Sequence, residues 1–415
     1  MRQVIKDLKS YFNALKEFKI NPDKFNGMPK PPKVKKLKNI DKFTFELNKK
    51  SFEVNNNYLI LKLRYNSKTK KWKKIKIKLP PYVKNITSVR ITYYLGLFYV
   101  DIVNEVYIEE LKPIGNYKAG IDLNVNNFVV LTSTNPLLKS LIISGGELKA
   151  FNQWWNKLKS KIQSKIDLTK NHIEKLKSER KEVPKKLYLK LKSLIRRFRL
   201  LCIHRKQWFD NHLHRFTKYL ALFLFITGHD KVFVSNNILR AKNRCNLSSK
   251  ANERFVYLPF RVFIDKLAYK LKWFGIVLIE VDESWTSKSS CISDDIHKIQ
   301  NLVDKVRNKL SLCGERIKRG LLLVKKLNKV FNADVNASYN ILKIGCRIKD
   351  LSKLFNQKLL MKKLCNPIKV RVFKFIEILQ SVIPESPVVR AGDRVIVKSL
   401  LCGGNGFIPE CFIIQ

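Results

Sequence analysis

The sequence predicts a mixed α/β protein: an α/β domain over residues 113–345, interrupted by a helical insertion at about 147–228, and preceded by a small β-barrel at 34–112. Three observations carry this. Apolar residues alternate with lysines at period two over 43–47, 58–63, 75–79, 88–94 and 97–103, the pattern of half-buried strands that close into a barrel with one basic face. From residue 115 onward, strand-like runs alternate with amphipathic helical ones, the signature of an α/β domain. And Ala119-Gly120-Ile121-Asp122-Leu123 sets an aspartate inside an otherwise apolar strand.

Residues 1–20 read as an amphipathic helix, with Ile5, Leu8, Phe12, Leu15 and Phe18 at helical spacing. Asn26-Gly27 and the prolines at 29, 31 and 32 end it, so 1–33 is a helix and linker. In the barrel, Trp72, Tyr93 and Tyr94 stand among lysines that include Lys73 and Lys74. Aromatics interleaved with cations suit nucleic acid, and a merely solvated sheet face is the plainer alternative. The segment 147–228 reads as long helices dense in Lys and Arg, Arg196 and Arg197 among them. Charge of a single sign along a helix points to a surface that follows phosphates. A strand at 231–235, a helix from Pro259 to about Lys272 and a strand at 275–281 ending in Asp282-Glu283 follow. Residues 292–312 read as a helical insertion, Asp334 opens a helix running through Leu342, and 346–415 reads as a basic, irregular extension.

Composition narrows the partner. Of 415 residues, 83 are Lys or Arg against 33 Asp or Glu, a formal net charge of +50 spread along the chain. Such a surface needs a polyanion, and nucleic acid is the commonest. A membrane fares worse, because no lipidation signal accompanies a basic amphipathic helix and the most apolar helical run, 219–227, is too short to span a bilayer. No secretory signal opens the chain. The 8 cysteines contain no Cys-x-x-Cys pair and read as reduced thiols of a soluble intracellular protein, in cytoplasm and nucleoid or in an organelle. Heavy use of Lys, Asn, Ile and Phe fits an AT-rich genome.

A carboxylate in an apolar strand is costly unless a positive partner meets it, most simply a divalent metal. Two further acidic elements, Val281-Asp282-Glu283-Ser284-Trp285-Thr286-Ser287 and Asn332-Ala333-Asp334-Val335-Asn336, lie far downstream in a chain short of acid. Carboxylates converging from separate elements are what phosphodiester hydrolysis by two metal ions about 4 Å apart requires. Asp122, Glu283 and Asp334 are therefore the candidate ligands of a metal-dependent nuclease. Asp122 as a turn acid before 124–127, Asp282 as the ligand in place of Glu283, and Asp334 as an ordinary helix cap stay open.

Gly120-Ile121-Asp122-Leu123 with Asn127-Phe128, then Glu283-Ser284-Trp285-Thr286-Ser287-Lys288, Gly314 to Leu321, and Asn332 to Ile341 together resemble the TnpB/OrfB proteins of insertion sequences, relatives of the type V CRISPR effectors. The likeness covers roughly residues 10–345. It implies a RuvC-like nuclease of RNase H fold in which Asp122, Glu283 and Asp334 hold Mg2+, with Mn2+ as the substitute. It implies a guide RNA from the protein's own element, a double-stranded DNA target, and a wedge-type barrel that grips them. The expected nucleic-acid contacts are Lys73, Lys74, Arg196, Arg197, Arg316, Lys318 and Arg319. The sequence departs from the common pattern in four ways. No acid stands on 232–235, which places the middle carboxylate at Glu283. The zinc ribbon is reduced to Cys291 and Cys313, so no zinc is expected. Asn124 replaces a glycine, and the N-terminal region is short. A catalytically silent nucleic-acid-binding remnant and a guide-independent nuclease or transposase of the same fold are the other readings. Oligomeric state is not legible.

Overall fold

The structure is a computed structural model that describes residues 2–382 apart from 26, 33–41, 48, 67–68, 70, 81–82, 84, 106–110, 236–257, 301–311, 319 and 325–326. The chain divides into two compact units, 1–107 with 195–200, and 108–194 with 201–415.

The first unit holds α1 (Arg2–Ile20) and six strands: β1 (Lys42–Leu47), β2 (Phe52–Asn55), β3 (Tyr58–Asn66), β4 (Lys71–Lys78), β5 (Ile86–Tyr94) and β6 (Leu97–Asn104). Where the alternation leads to the expectation of a small barrel, the described residues form two three-stranded antiparallel sheets, β1-β5-β6 and β2-β3-β4. Leu59 and Leu61 of β3, Leu79 just after β4, and Val89 of β5 form their small shared core. Asn56 and Asn57, both left-handed (φ 46° and 61°), make the two-residue turn joining β2 to β3, a conformation Asn enters more readily than most residues. Period two reveals which face of a strand is buried; it does not reveal whether the end strands meet.

The second unit is built on a six-stranded mixed sheet. Its strands are β7 (Tyr117–Asp122), β8 (Val129–Ser133), β9 (Leu141–Ser144), β10 (His229–Ser235), β11 (Val277–Val281) and β15 (Ile368–Arg371), in the order β11-β10-β7-β8-β9-β15. β11, β10 and β7 run parallel, β8 is antiparallel to β7 and β9, and β15 is parallel to β9. Side chains alternate between two cores. Val232 and Val234 of β10 and Val129 and Leu131 of β8 face one; Phe233 and Val130 face the other. A sheet covered on both sides explains why these strands are nearly continuous apolar runs.

On the first face pack α2 (Gly146–Ser178), α3 (Lys185–Ile226), α4 (Phe260–Trp273) and α8 (Val372–Val382), through Phe216, Phe223, Phe260, Phe263 and Phe375. The long helices expected over 147–228 are α2 and α3, an antiparallel hairpin in which Trp155 Nε1 donates to Leu201 O (3.0 Å) and Arg205 donates to Asn152 Oδ1 (3.0–3.1 Å). On the second face lie α6 (Ala333–Cys346) and α7 (Gln357–Cys365). α5 (Asp295–Gln300) and a three-stranded sheet, β12 (Gly314–Lys318), β13 (Leu321–Val324) and β14 (Lys329–Asn332), lead into α6. Among the described residues no helix is long and apolar enough to cross a membrane.

One reading of the sequence is corrected. Residues 346–382 are not irregular: α7, β15 and α8 belong to the second unit, with Val370 opposite Ile143 and Leu364, Phe375, Ile376 and Leu379 buried. A four-residue edge strand carrying Lys369 and Arg371 is too short and too charged to show periodicity, and only its pairing with β9 reveals it. Residues 383–415 lie outside the described ones.

Helix α6 lies very close to the sheet. A Cβ on Gly120 of β7 would stand 2.5 Å from Ser338 O and 2.9 Å from Leu342 Cβ, and one on Gly345 would stand 2.2 Å from the Phe233 ring. The Ser338 hydroxyl reaches Gly120 O (2.9 Å) and Val130 O (3.0 Å) as acceptors. Gly120→Ala is therefore expected to cost about 1–3 kcal/mol by overpacking, read as a lower urea midpoint.

His229, fully buried at the start of β10, gives a pH signature. Its Nδ1 meets Leu224 O (3.1 Å), which can only accept, so Nδ1 carries the proton and Nε2 accepts from the Ser133 hydroxyl (2.7 Å). Burial pushes its pKa down from 6.5 to about 4. Between these values the unfolded chain binds more protons than the folded one. The stabilisation is complete above pH 6.5 and is lost as pH falls toward 4, by about 3 kcal/mol. Urea midpoints of the parent and His229→Gln, compared from pH 7 to 4, should differ in slope in that window.

Candidate metal centre

The carboxyl ends of the three parallel strands are level, because Ile121 pairs with Val234 and Ser235 pairs with Val281. That register brings Asp122, the last residue of β7, beside the end of β10, with Asp282 and Glu283 just past the end of β11. The crevice beyond the carboxyl ends of parallel strands is where open α/β sheets place ligands. Asp122 is buried, 7% exposed. It is followed by a turn that Asn124 organises, its Oδ1 accepting from the N–H groups of Asn126 (2.9 Å) and Asn127 (2.8 Å). Asn124 therefore keeps its side chain at work in the turn, as Asn commonly does.

Asp334 enters from the opposite face. The helix cap is Asn332, whose Oδ1 accepts from the N–H groups of Asp334 (3.0 Å) and Val335 (3.1 Å). Asp334 is thus in the first turn of α6 and its carboxylate points elsewhere: Oδ2 accepts from Asn127 Nδ2 at 2.6 Å. Asn127 ties the β7–β8 turn to α6.

Electrostatics records the convergence. The carboxyl of Asp122 is held well above the usual range, first by burial, then by the charges of Glu283 and Asp334. Glu283 is raised as well, chiefly by burial and then by Asp282, against a hydrogen bond from Ser235 that favours the charged form. The Ser235 hydroxyl oxygen also accepts from Leu123 N–H (3.2 Å), so one side chain links β7, β10 and the Glu283 turn. Asp282 is exposed and occupied locally, its Oδ1 accepting from Ser284 N (2.8 Å) and Ser284 Oγ (2.6 Å). Glu283 Oε2, in contrast, is buried with no hydrogen-bond partner.

An orphaned buried carboxylate oxygen beside two carboxylates that repel one another fits a divalent cation of the hard, oxygen-seeking kind. Among the described residues no three His, Cys, Asp or Glu side chains are close enough as placed to ligate one ion together. The donor chemistry therefore fits, and a shared coordination shell would require side-chain adjustment.

The expected phosphate contacts stand on separate elements. Lys73 and Lys74 are exposed on β4, Arg196 and Arg197 on α3, and Arg316 and Lys318 on β12; Arg319 lies outside the described residues. Sequence reasoning missed Asn127, Ser235, Asn336 and Asn340. Asn336 and Asn340 Nδ2 both donate to the carbonyls of Thr286 and Ser289, at 2.8–3.2 Å, so α6 grips the turn that follows Glu283. Their one signal was an unusual density of amides, Asn332, Asn336 and Asn340, at helical spacing on an otherwise apolar helix.

Two family models match. Residues 101–238 match the OrfB_IS605 family, described as probable transposase, and residues 260–341 match the Cas12f1-like TNB domain. Among solved structures, a cryo-EM structure of a Cas12f1–sgRNA–target DNA complex is 17% identical, with TM-score 0.43, covering 81% of this chain and 70% of that one. A CRISPR-Cas12f ternary complex is also 17% identical, with TM-score 0.33, covering 81% and 69%. A Cas12i(E894A)–crRNA–dsDNA complex is 11% identical, with TM-score 0.34, covering 73% and 53%. No curated protein matches. The two family models lie in chain order, take in just over half of the residues, and contain all three candidate carboxylates; the chain belongs to the TnpB/OrfB family.

Proposed function

We propose that this protein is a transposon-associated, RNA-guided DNA endonuclease with a RuvC-like nuclease domain of RNase H type. Asp122, Glu283 and Asp334 hold Mg2+, or Mn2+ in its place. The observation that carries this reading is the burial of mutually repelling carboxylates, one oxygen of Glu283 left without a partner, in a chain of net charge +50. The strand order β9-β8-β7-β10-β11, with the acids at the carboxyl ends of parallel strands, supports the fold reading. Membership in the family supports the guide RNA from the protein's own element and the double-stranded DNA target.

When bound, a pair of divalent ions would activate water and stabilise the leaving oxygen. The protein's own part is to pre-set the ligands. Asn127 fixes one oxygen of Asp334, leaving the other for the site. Ser235 favours the charged form of Glu283, whose Oε2 has no hydrogen-bond partner. The apolar surroundings of Asp122 exclude water and strengthen every charge interaction there. Exposed Lys73, Lys74, Arg196, Arg197, Arg316 and Lys318 bind the phosphates of guide and target, positioning them without reading sequence.

Asp122→Ala should lower DNA cleavage by roughly a thousandfold or more, equivalent to about 4 kcal/mol of barrier, while RNA and DNA affinity changes little. A variant that cuts as well as the parent removes Asp122 from the site. Sequencing the RNA that co-purifies after expression with the native downstream flank should return one defined species from that flank. A smear of host RNA, or none, would move the reading to a silent nucleic-acid-binding protein.

A further inference from the structure

Trp285 stands two residues after Glu283 with φ = 70°. Left-handed backbone is tolerable for asparagine and glycine and is an outlier for a bulky aromatic. The other left-handed non-glycine residues described are four asparagines, Leu95 and two arginines. Such a conformation persists only where the surroundings over-determine it, and here they do. Trp285 O accepts from Lys288 N (3.1 Å), Ser289 N (3.0 Å) and Ser289 Oγ (2.9 Å), and Thr286 N donates to Glu283 O (3.1 Å). From the other side, buried Asn336 and Asn340 of α6 hold the carbonyls of Thr286 and Ser289. Glycine would meet this backbone without strain, so the turn's shape does not call for tryptophan. Core packing does not call for it either: the ring is half-buried, and Lys288 Nζ lies over it, 5.0 Å from the centroid, a cation–π contact that an incoming phosphate can draw away.

We propose that Trp285 is a stacking platform for a base of the DNA strand being cut, with Lys288 beside it for the adjoining phosphate. This rests on the nuclease reading above, which is what brings a DNA strand past Glu283 to Trp285. Aromatic faces accept any base and contribute substantially to single-strand binding. The rigid turn, anchored to the helix that bears Asp334, fixes where that base sits relative to the carboxylates. Asn336 and Asn340 are positioning residues in this arrangement.

The test uses the full-length protein and a single-stranded DNA carrying iodouracil at successive positions, irradiated with near-ultraviolet light, with cross-linked peptides identified by mass spectrometry. The expected result is a cross-link at Trp285. Trp285→Gly, relieved of strain, should keep or raise the thermal midpoint and weaken single-strand affinity by roughly fivefold or more, while Trp285→Phe retains most of it. Cross-links confined to other aromatics, or unchanged affinity in Trp285→Gly, would overturn the proposal. Because the cross-link needs no cleavage, a cross-link at Trp285 in a protein that never cuts would sink the nuclease reading alone. Cleavage that depends on Asp122 without a cross-link would sink the stacking role alone.

Discussion

The close crossing of α6 over the sheet is the constraint on which the candidate site depends. Its first turn carries Asp334, its middle carries the amides that grip the Glu283 turn, and its last turn rests on Phe233. None of this is available unless the helix axis comes within backbone reach of β7 and β10. Two glycines, one on the strand and one on the helix, permit that approach. The Ser338 hydroxyl supplies hydrogen bonding at the point of closest contact. Gly120 is thus as much a part of the site as Asp122, two residues on.

A second principle runs through the same region: polar groups brought into the interior are satisfied by carbonyls that would otherwise be left bare. Lys343 Nζ donates to Cys291 O (3.0 Å) and to Ser293 O (2.5 Å). Lys363 donates to Asn135 O (2.7 Å) and Leu138 O. The carboxylate of Asp295 accepts from Ser290 N (3.3 Å) and Cys313 N (2.9 Å), joining the two arms of the segment that approaches α6. In each case a long or charged side chain replaces regular secondary structure in tying an irregular segment to the core, as the near-complete pairing of buried backbone groups requires. The carboxylate centre differs: Glu283 Oε2 is, among the described residues, one of five buried side-chain atoms without a hydrogen-bond partner, and it belongs to a carboxylate whose charge acts on Asp122 together with that of Asp334.

Much of this protein was legible before any coordinates. Charge pointed to a polyanion as the partner, because a net +50 calls for neutralisation from outside the chain. An aspartate amid apolar strand residues marked the candidate site, because the cost of burying a lone carboxylate demands a reason. The long helices over 147–228 and the alternation of strands and helices followed from periodicity, a local property. Whether the six short strands close into a barrel does not follow from that kind of signal, and β15 was missed, because both turn on which edges pair, and pairing is long-range.

What the sequence determined by itself was therefore the inventory: the carboxylates, the basic faces, the order of strands and helices, and the family motifs. Only the tertiary structure decided which oxygens are spoken for. Asn332 rather than Asp334 caps α6, Asp282 turns back onto Ser284, and Ser235 bridges two strands to Glu283. The first two are each a choice between two side-chain acceptors, one or two residues apart. Sequence spacing cannot make that choice; the direction in which each side chain leaves its strand or helix end makes it.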